Sequence, residues 1–200
     1  MTRFPVVTKV TAMAVRPIVK FPDPRLRQAT VPVTAVTDEI RKLCADMADT
    51  MFAANGAGIA AIQVGVKERI FIVDAGVAGG REEDPPVVFI NPELVELSEE
   101  TMTADEGCLS FPGVYVPIKR SVRAKVRAID LEGQVFEMER EGLCARAFQH
   151  EADHLNGRLL VDFVGPLKRE MIKRKMKRAA REEEEAGEDT DDERGSAKLA

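Results

Sequence analysis

Both histidines of the chain lie in one short segment, Gln149–His154, with the sequence QHEADH. On an α-helix, residues four apart share a face about one turn apart, so His150 and His154 can both reach a single metal ion. Glu151 can then approach a water molecule at the ion without binding the ion itself. The spacing therefore predicts a helix that carries a hydrolytic metal site. The alternative is a surface helix that carries two histidines by chance.

A catalytic metal site normally has three protein ligands and one open position. Cys108 is the candidate for the third ligand, because a thiolate is a strong, soft ligand. The neighbouring Gly107 lets the backbone pass close to an ion. Taken alone, Cys108 would be a small core residue. Asp105 and Asp153 are possible ligands on chemistry alone, but Asp153 lies off the face that the two histidines share.

The segment Gly56–Gln63, with the sequence GAGIAAIQ, is the third feature with a chemical meaning. Its glycines allow a tight turn and a close approach of the backbone to a ligand. Neither a phosphate-binding loop nor a dinucleotide-binding fingerprint is present, since the residues that define them are missing. If Gln63 faces the metal, its amide can donate to an oxyanion. The alternative is a loop glutamine at the edge of the core.

Composition limits the class of protein. The chain has three cysteines, an odd number that argues against a disulfide framework and for a reducing, intracellular setting. We expect Cys44 and Cys144 to be core residues. No apolar run approaches the roughly 20 residues that a membrane-spanning helix needs. The net charge of −5 is mild and predicts no DNA partner for the protein as a whole.

Hydrophobic periodicity and turn residues predict an α+β fold, with antiparallel strands packed around a central motif-bearing helix and a C-terminal helix. Thr37 is a plausible cap for the first helix, and Asn55-Gly56 is its stop signal. The predicted elements are, in order, a helix over 40–54, strands over 69–74, 87–90, 122–128 and 135–138, and a helix over 142–156.

The chain divides into four predicted parts: an N-terminal extension over 1–13, a catalytic domain over 14–165, a basic C-terminal helix over 166–181 and an acidic, disordered tail over 182–200. Met13 is an alternative start of the protein. Pro166 suits the first position of a helix. The basic helix has a thin apolar stripe, formed by Leu167, Met171, Ile172 and Met176. The charge reverses from Glu182 onward.

Together, the three motif segments resemble the peptide deformylase family. Gly56–Gln63 resembles the family motif GxGxAAxQ, Glu106–Ser110 matches EGCLS, and Gln149–Leu155 matches QHExDHL. They occur in the family's order, and the similarity extends from about Arg16 to Lys177. The resemblance implies hydrolytic removal of the formyl group from the N-formylmethionine of newly made polypeptides, with release of formate.

The resemblance also implies roles for single residues. Cys108, His150 and His154 would hold one divalent metal ion, with water in the fourth position. The family typically works with Fe²⁺, and Zn²⁺ or Ni²⁺ can occupy such a site. Glu151 would take a proton from the water and deliver it to the leaving amine.

The oxyanion would be stabilised by Gln63 and by the backbone N–H of Leu109. Gly56, Ala57 and Gly58 resemble the segment that binds the substrate backbone. Helix geometry makes Leu143 and Ala147 candidates for the wall of the methionine pocket.

Some residues depart from the family pattern. Arg146 lies one turn before His150, where an apolar residue is expected, and it either turns outward or narrows the pocket. Ala57 is smaller than the branched residue often found in relatives, and Ile62 stands where proline or threonine is common. Glu106 resembles a carboxylate that supports the metal ligands, with Arg120 as a candidate partner; a solvated surface acid is the alternative.

Two other functions compete with this one. Proteases of the HExxH class share the helix motif, but they usually take their third ligand from a residue after the helix, and no later histidine exists here. A binding module with a deformylase-like fold is the second alternative. The intact Cys108, Glu151 and Gln63 argue against it.

The segment Lys168–Arg178 resembles the C-terminal extension by which some deformylases dock on the ribosome near the exit of the nascent chain. Clustered lysines and arginines suit rRNA phosphates. The alternative is a solvated helix whose charges pair with the acidic tail. The expected location is the bacterial cytoplasm, because formylated starts belong to bacteria and organelles; an organellar location stays open.

Overall fold

The computed structural model describes residues 14–81 and 83–196. Its α-helices are α1 Asp38–Ala53, α2 Gly142–Leu155 and α3 Pro166–Ser196. Its strands are β1 Gly58–Ala60, β2 Ile70–Val73, β3 Val87–Leu97, β4 Thr101–Glu106, β5 Val116–Ser121, β6 Arg123–Ile129 and β7 Val135–Glu141. The predicted α+β class is confirmed. The predicted extension over 1–13 lies outside the described residues.

Helix α1 begins and ends where the sequence predicts. The Thr37 side chain accepts a hydrogen bond from the backbone N–H of Ile40 at 3.4 Å, which satisfies one of the free donors at the helix start. The apolar face of the helix is buried, with Leu43, Cys44, Met47 and Met51 in the core. Directly after the helix, Asn55 takes a left-handed conformation with φ of 53° and turns the chain toward β1.

The strands form two separate sheets. Five antiparallel strands pair in the order β1-β2-β3-β6-β7, and β4 pairs only with β5. Strands β2, β3, β6 and β7 correspond to the predicted ones, while β1, β4 and β5 were not predicted. Most residues of β4 are solvent-exposed, so the strand lacks the apolar alternation that reveals a half-buried strand.

Helix α2 contacts both sheets with different faces. Ala145, Phe148 and Leu155 are buried in the core that covers the five-stranded sheet. The ring of Phe148 meets that of Phe89 edge-on, with the centroids 5.1 Å apart. A second face carries polar side chains at positions 146, 149, 150 and 153, and it contacts the β4–β5 hairpin. The helix that bears the histidines is therefore fixed between two sheets.

Helix α3 packs against the hairpin through only half of the predicted stripe. Ile172 and Met176 are buried beside Val116 and its neighbours, whereas Leu167 and Met171 are 78% and 63% exposed. Ile172 and Met176 lie on a different side of the helix from Leu167 and Met171. A single helix face is too narrow to turn all four side chains toward one surface.

The backbone of α3 stays helical from residue 182 to Ser196, where we expected an irregular tail. Six of the residues from 182 to 196 are glutamates, which are good helix formers, and this accounts for the difference. Residues 197–200 of the predicted tail lie outside the described residues. Within the described part of the chain, no helix is both long enough and apolar enough to cross a membrane.

Replacing Phe148 by alanine should lower the free energy of unfolding by about 3–5 kcal/mol, because the ring is fully buried between α2 and the sheet. Urea denaturation measures the change. Leu143→Ala is the matched control on the same helix, since its side chain is 62% exposed and its loss should cost less than about 0.5 kcal/mol. Equal effects of the two substitutions would contradict the packing described for α2.

Candidate active site

The three motifs meet at one cleft of about 690 Å³. Glu106 ends β4, so Cys108 follows the strand directly and faces the histidines of α2. The edge strand β1 closes the other side. The predicted site residues that line the cleft are Gly56, Ala57, Gly58, Gln63, Cys108, Leu109, Leu143, Ala147, His150 and Glu151. His154 does not line the cleft and is only 1% exposed.

One group of side chains can hold a metal ion. The ligand atoms of Cys108, His150 and His154 all lie within 4.8 Å of one another, and Cys108 Sγ lies 3.2 Å from His154 Nε2. A thiolate with two imidazoles suits a transition metal such as zinc or iron. The buried Oε2 of Glu151, beside this group, has no hydrogen-bond partner among the described residues. An unpaired buried oxygen at this place fits a site built for a metal and a water molecule.

Glu106 orients the first histidine. Its Oε2 accepts a hydrogen bond from His150 Nδ1 at 2.9 Å, and this leaves His150 Nε2 available to a metal. The carboxylate also accepts from Arg120 Nε and Nη2, both at 2.9 Å, so the predicted pairing with Arg120 is confirmed. Burial raises the pKa of Glu106, but the hydrogen bonds from His150 and Arg120 outweigh it and bring the pKa to about 2. Glu106 therefore stays ionised.

Arg146 neither turns outward nor simply narrows the pocket. Its side chain lines the cleft yet reaches down to Glu106, with Nη1 donating to Glu106 Oε1 at 2.6 Å. The same guanidinium donates to the backbone carbonyls of Met102 and Ile118 at 2.9 and 3.0 Å. Sequence reasoning missed this role because β4 and β5 were not predicted, so no partner for the arginine was visible.

Two electrostatic effects distinguish the histidines. Burial lowers the pKa of His154 well below its ordinary value, which favours the neutral ring that metal binding needs. Burial opposes charge on His150 as well. Its hydrogen bonds to Cys108 and Glu106 outweigh that effect and raise the pKa of His150.

Glu151 is held as a buried carboxyl at the cleft. Its residue is only 4% exposed, and burial raises its pKa to about 7. The carboxyl fits because residue 58 is glycine. A Cβ on Gly58 would stand 2.8 Å from Glu151 Oε1, closer than real Cβ atoms come, and 3.1 Å from the carbonyl oxygen of Ile72, which is a tight contact. The glycine of the first motif and the glutamate of the third therefore depend on each other.

Gln63 presents the donor end of its amide to the metal group. Its Oε1 accepts a hydrogen bond from the backbone N–H of Ala60 at 2.8 Å, which fixes the orientation of the amide. Its Nε2 then points to Ser110 Oγ at 3.2 Å and to Cys108 Sγ at 3.5 Å. Sequence reasoning found Gln63 but missed Ser110, although this buried residue ends the EGCLS motif.

The outer part of the cleft is partly apolar. Ala147 is 8% exposed and Leu143 is 62% exposed, so the first belongs to the inner wall and the second to the rim. Tyr115, which sequence reasoning did not single out, is 69% exposed and also lines the cleft. Its ring covers Gly107, where a Cβ would stand 2.9 Å from the ring.

Comparisons with known proteins agree on one family. The polypeptide deformylase family matches residues 15–170 of the chain. A peptide deformylase of Acinetobacter baumannii strain SDF is 49% identical over 172 residues, which cover 86% of this chain and 96% of the relative. The crystal structure of a peptide deformylase from Legionella pneumophila has a TM-score of 0.78 and 41% identity, and the match covers 85% of this chain and 98% of the other.

A further solved structure, a class I type b peptide deformylase from A. baumannii with Met-Ala-Ser bound, has a TM-score of 0.69 and 35% identity. The match covers 76% of this chain and 100% of the other.

Replacing Cys108 by serine should weaken metal binding strongly while the protein still folds, because a hydroxyl is a much poorer ligand than a thiolate for a soft metal. Metal retained after gel filtration, measured by mass spectrometry, tests this. Cys144→Ala is the control, since Cys144 is a buried core residue that lies outside the metal group. An unchanged metal content in the Cys108 variant would remove Cys108 from the set of ligands.

Proposed function

Because the chain belongs to the polypeptide deformylase family, we propose that its cleft removes the formyl group from N-formylmethionyl polypeptides through the residues brought together there. The protein is a hydrolase of protein biosynthesis that acts in N-terminal methionine processing. One observation carries the assignment of roles. The buried Glu151 lines the cleft beside Cys108 and the two histidines, and its Oε2 has no hydrogen-bond partner among the described residues.

We assign the metal to Cys108, His150 and His154. A bound ion polarises the formyl carbonyl and makes a water molecule acidic enough to attack at neutral pH. We propose Fe²⁺ as the resident ion on the family resemblance; the same three donors also suit Zn²⁺ or Ni²⁺.

Glu151 moves the proton. It takes a proton from the attacking water as the water oxygen bonds to the formyl carbon. It then gives that proton to the amine nitrogen as the carbon–nitrogen bond breaks, and formate and a free N-terminus result. A pKa of about 7 suits both steps, because a group with this pKa is present in both protonation states near neutral pH.

Gln63 and Leu109 stabilise the negative charge that develops on the formyl oxygen. Gln63 offers an oriented Nε2–H, since its other end is held by Ala60. Leu109 lines the cleft next to Cys108 and offers its backbone N–H. Donors that are fixed in advance need no rearrangement when charge develops, which is why they lower the barrier.

The substrate backbone lies along the edge strand β1. This strand pairs with β2 on one side only, so a peptide can add to its other side next to Gly56 and Ala57. The methionine side chain then enters the part of the cleft lined by Leu143 and Ala147. The Met-Ala-Ser bound to the A. baumannii enzyme supports a peptide that begins with methionine as a ligand of this cleft.

Glu151→Gln keeps the shape of the side chain but cannot accept a proton. Formate release from a formyl-methionyl peptide should fall at least ~10²-fold, the usual size of a general acid–base contribution. Metal content should not change, since Glu151 is not a proposed ligand. Glu132→Gln, on an exposed turn, serves as the control. Near-normal activity in the Glu151 variant would exclude its role as the proton carrier.

We also propose that the exposed basic face of α3 binds rRNA phosphates of the ribosome, in the bacterial cytoplasm where nascent chains start with formylmethionine. Lys173, Arg174 and Lys177 are exposed on this face. Some charge is paired within the helix, as in the ion pairs of Arg174 with Glu170 at 3.2 Å and of Arg178 with Glu182 at 3.5 Å. Exposed pairs of this kind contribute little, so they leave the arginines able to bind phosphate.

Changing Lys173, Arg174 and Lys177 together to glutamate should abolish co-sedimentation with ribosomes at low salt, because phosphate binding depends on these charges. Turnover of a short formyl peptide should stay normal. The buried Ile172 and Met176 make these surface changes safer than deletion of the helix. Changing the exposed Arg41, Lys67 and Lys119 to glutamate gives the same change in net charge elsewhere. Undiminished co-sedimentation of the α3 variant would exclude the docking surface.

A further inference from the structure

We infer that Arg146 is a positioning residue, which sets the distance between the strand that carries Cys108 and the helix that carries the two histidines. The inference rests on the ligands proposed above. It gives Arg146 a role through Glu106 and the hairpin, and not by contact with the substrate.

The contacts of Arg146 span the gap between three elements. The residue belongs to α2, one turn before His150. Its Nη1 donates to Glu106 Oε1 at 2.6 Å and to the carbonyl oxygen of Ile118, in β5, at 3.0 Å. Its Nη2 donates to the carbonyl oxygen of Met102, in β4, at 2.9 Å. One planar guanidinium therefore joins the histidine helix to both strands of the hairpin.

The hairpin is joined to the larger sheet where β3 leads into β4 and β5 leads into β6, with backbone hydrogen bonds from Ser98 N to Arg123 O and from Val122 N to Glu100 O, both at 3.0 Å. Strands β4 and β5 pair with each other and form a separate sheet. Cys108 lies two residues beyond the end of β4. Cys108 therefore follows the end of β4 that lies away from this junction, and the contacts of Arg146 tie the backbone of both strands to α2.

Arg146 also restrains the carboxylate that orients His150. Glu106 Oε1 accepts from Arg120 Nε and from Arg146 Nη1, while Oε2 accepts from Arg120 Nη2 and from His150 Nδ1. With Arg146 gone, Oε1 loses its 2.6 Å partner, and only Arg120, in β5, and His150 itself still hold the carboxylate. His150 would then lose its fixed orientation, and the metal would lose a well-placed ligand.

Arg146 also lines the cleft, so the simpler alternative is that it forms part of the wall of the methionine pocket. A residue that only forms the wall of the methionine pocket would change KM and side-chain preference. A positioning residue would change metal affinity, the spectrum of a bound metal, and kcat at saturating metal. The two roles are therefore separated by what a substitution alters.

The test is Arg146→Met in the full-length protein, with Arg146→Lys as the conservative variant. We expect the Kd for Zn²⁺, from competition with a chromophoric chelator, to rise about 10–100-fold in the methionine variant, as for other partners of metal ligands. The visible absorption of the Co²⁺ form should change. With saturating metal, kcat should fall while KM for a formyl-methionyl peptide stays close to that of the wild type. Lysine should restore part of the loss.

Arg69→Met is the matched control. Arg69 is a partly buried arginine that holds the end of α2, with Nη1 3.4 Å from the carbonyl oxygen of Leu155 and 3.2 Å from Asn156 Oδ1. Its contacts do not include Glu106. We expect its loss to cost stability and to leave the Co²⁺ spectrum unchanged.

Normal Zn²⁺ affinity and a normal Co²⁺ spectrum in Arg146→Met would overturn the inference, whatever happens to KM. If that variant does not fold, Arg146→Lys decides, because an ammonium cannot reproduce the planar contacts to Glu106 and both carbonyls. Its Zn²⁺ affinity should be weaker than that of the wild type, and an equal affinity would also overturn the inference. A wild-type protein that binds no metal would instead refute the proposed ligands.

Discussion

The carboxylate of Glu106, shared by two arginines and His150, is the interaction on which the site depends. It is buried in a place where an isolated charge would be very costly, and it is tolerated because four hydrogen bonds converge on its two oxygens. Removing the carboxylate itself should cost about 3–5 kcal/mol, since the buried charges of Arg120 and Arg146 would lose the partner that they share. Glu106 thus balances the charge of two arginines and orients His150, one of the proposed metal ligands.

Helix α2 transmits this constraint because its two faces have different chemistry. Phe148 and its apolar neighbours pack the helix against the five-stranded sheet. The polar face of the helix, from Arg146 to Asp153, binds the β4–β5 hairpin. Asp153, which lies off the face that the two histidines share, accepts a hydrogen bond from Arg120 Nη1 at 2.6 Å. Because α2 contacts both sheets, it holds the three motif segments in fixed positions relative to one another.

Local sequence patterns predicted α1, α2 and four strands because those elements have caps, stop signals or clear alternation. They predicted the metal group because His150 and His154 are close in sequence, while Cys108 was placed by chemistry and resemblance. What they could not predict depends on contacts far apart in the chain. Arg146 meets Met102 and Ile118 only after folding, and strand β4, with its exposed Thr101–Asp105, has no apolar pattern of its own.

Glu151 shows how the fold accepts a local loss of stability at the cleft. Burial of its carboxyl disfavours the charged form and raises its pKa to about 7, which is a cost in free energy near neutral pH. The space for its carboxyl exists because Gly58 has no side chain, and a glycine in a strand weakens that strand. The cost of the glycine falls on β1, which is an edge strand of the larger sheet. The stronger packing of α2 against the inner strands keeps Glu151 in place, so a carboxyl with a pKa of about 7 can be held rigidly in a cleft that remains open.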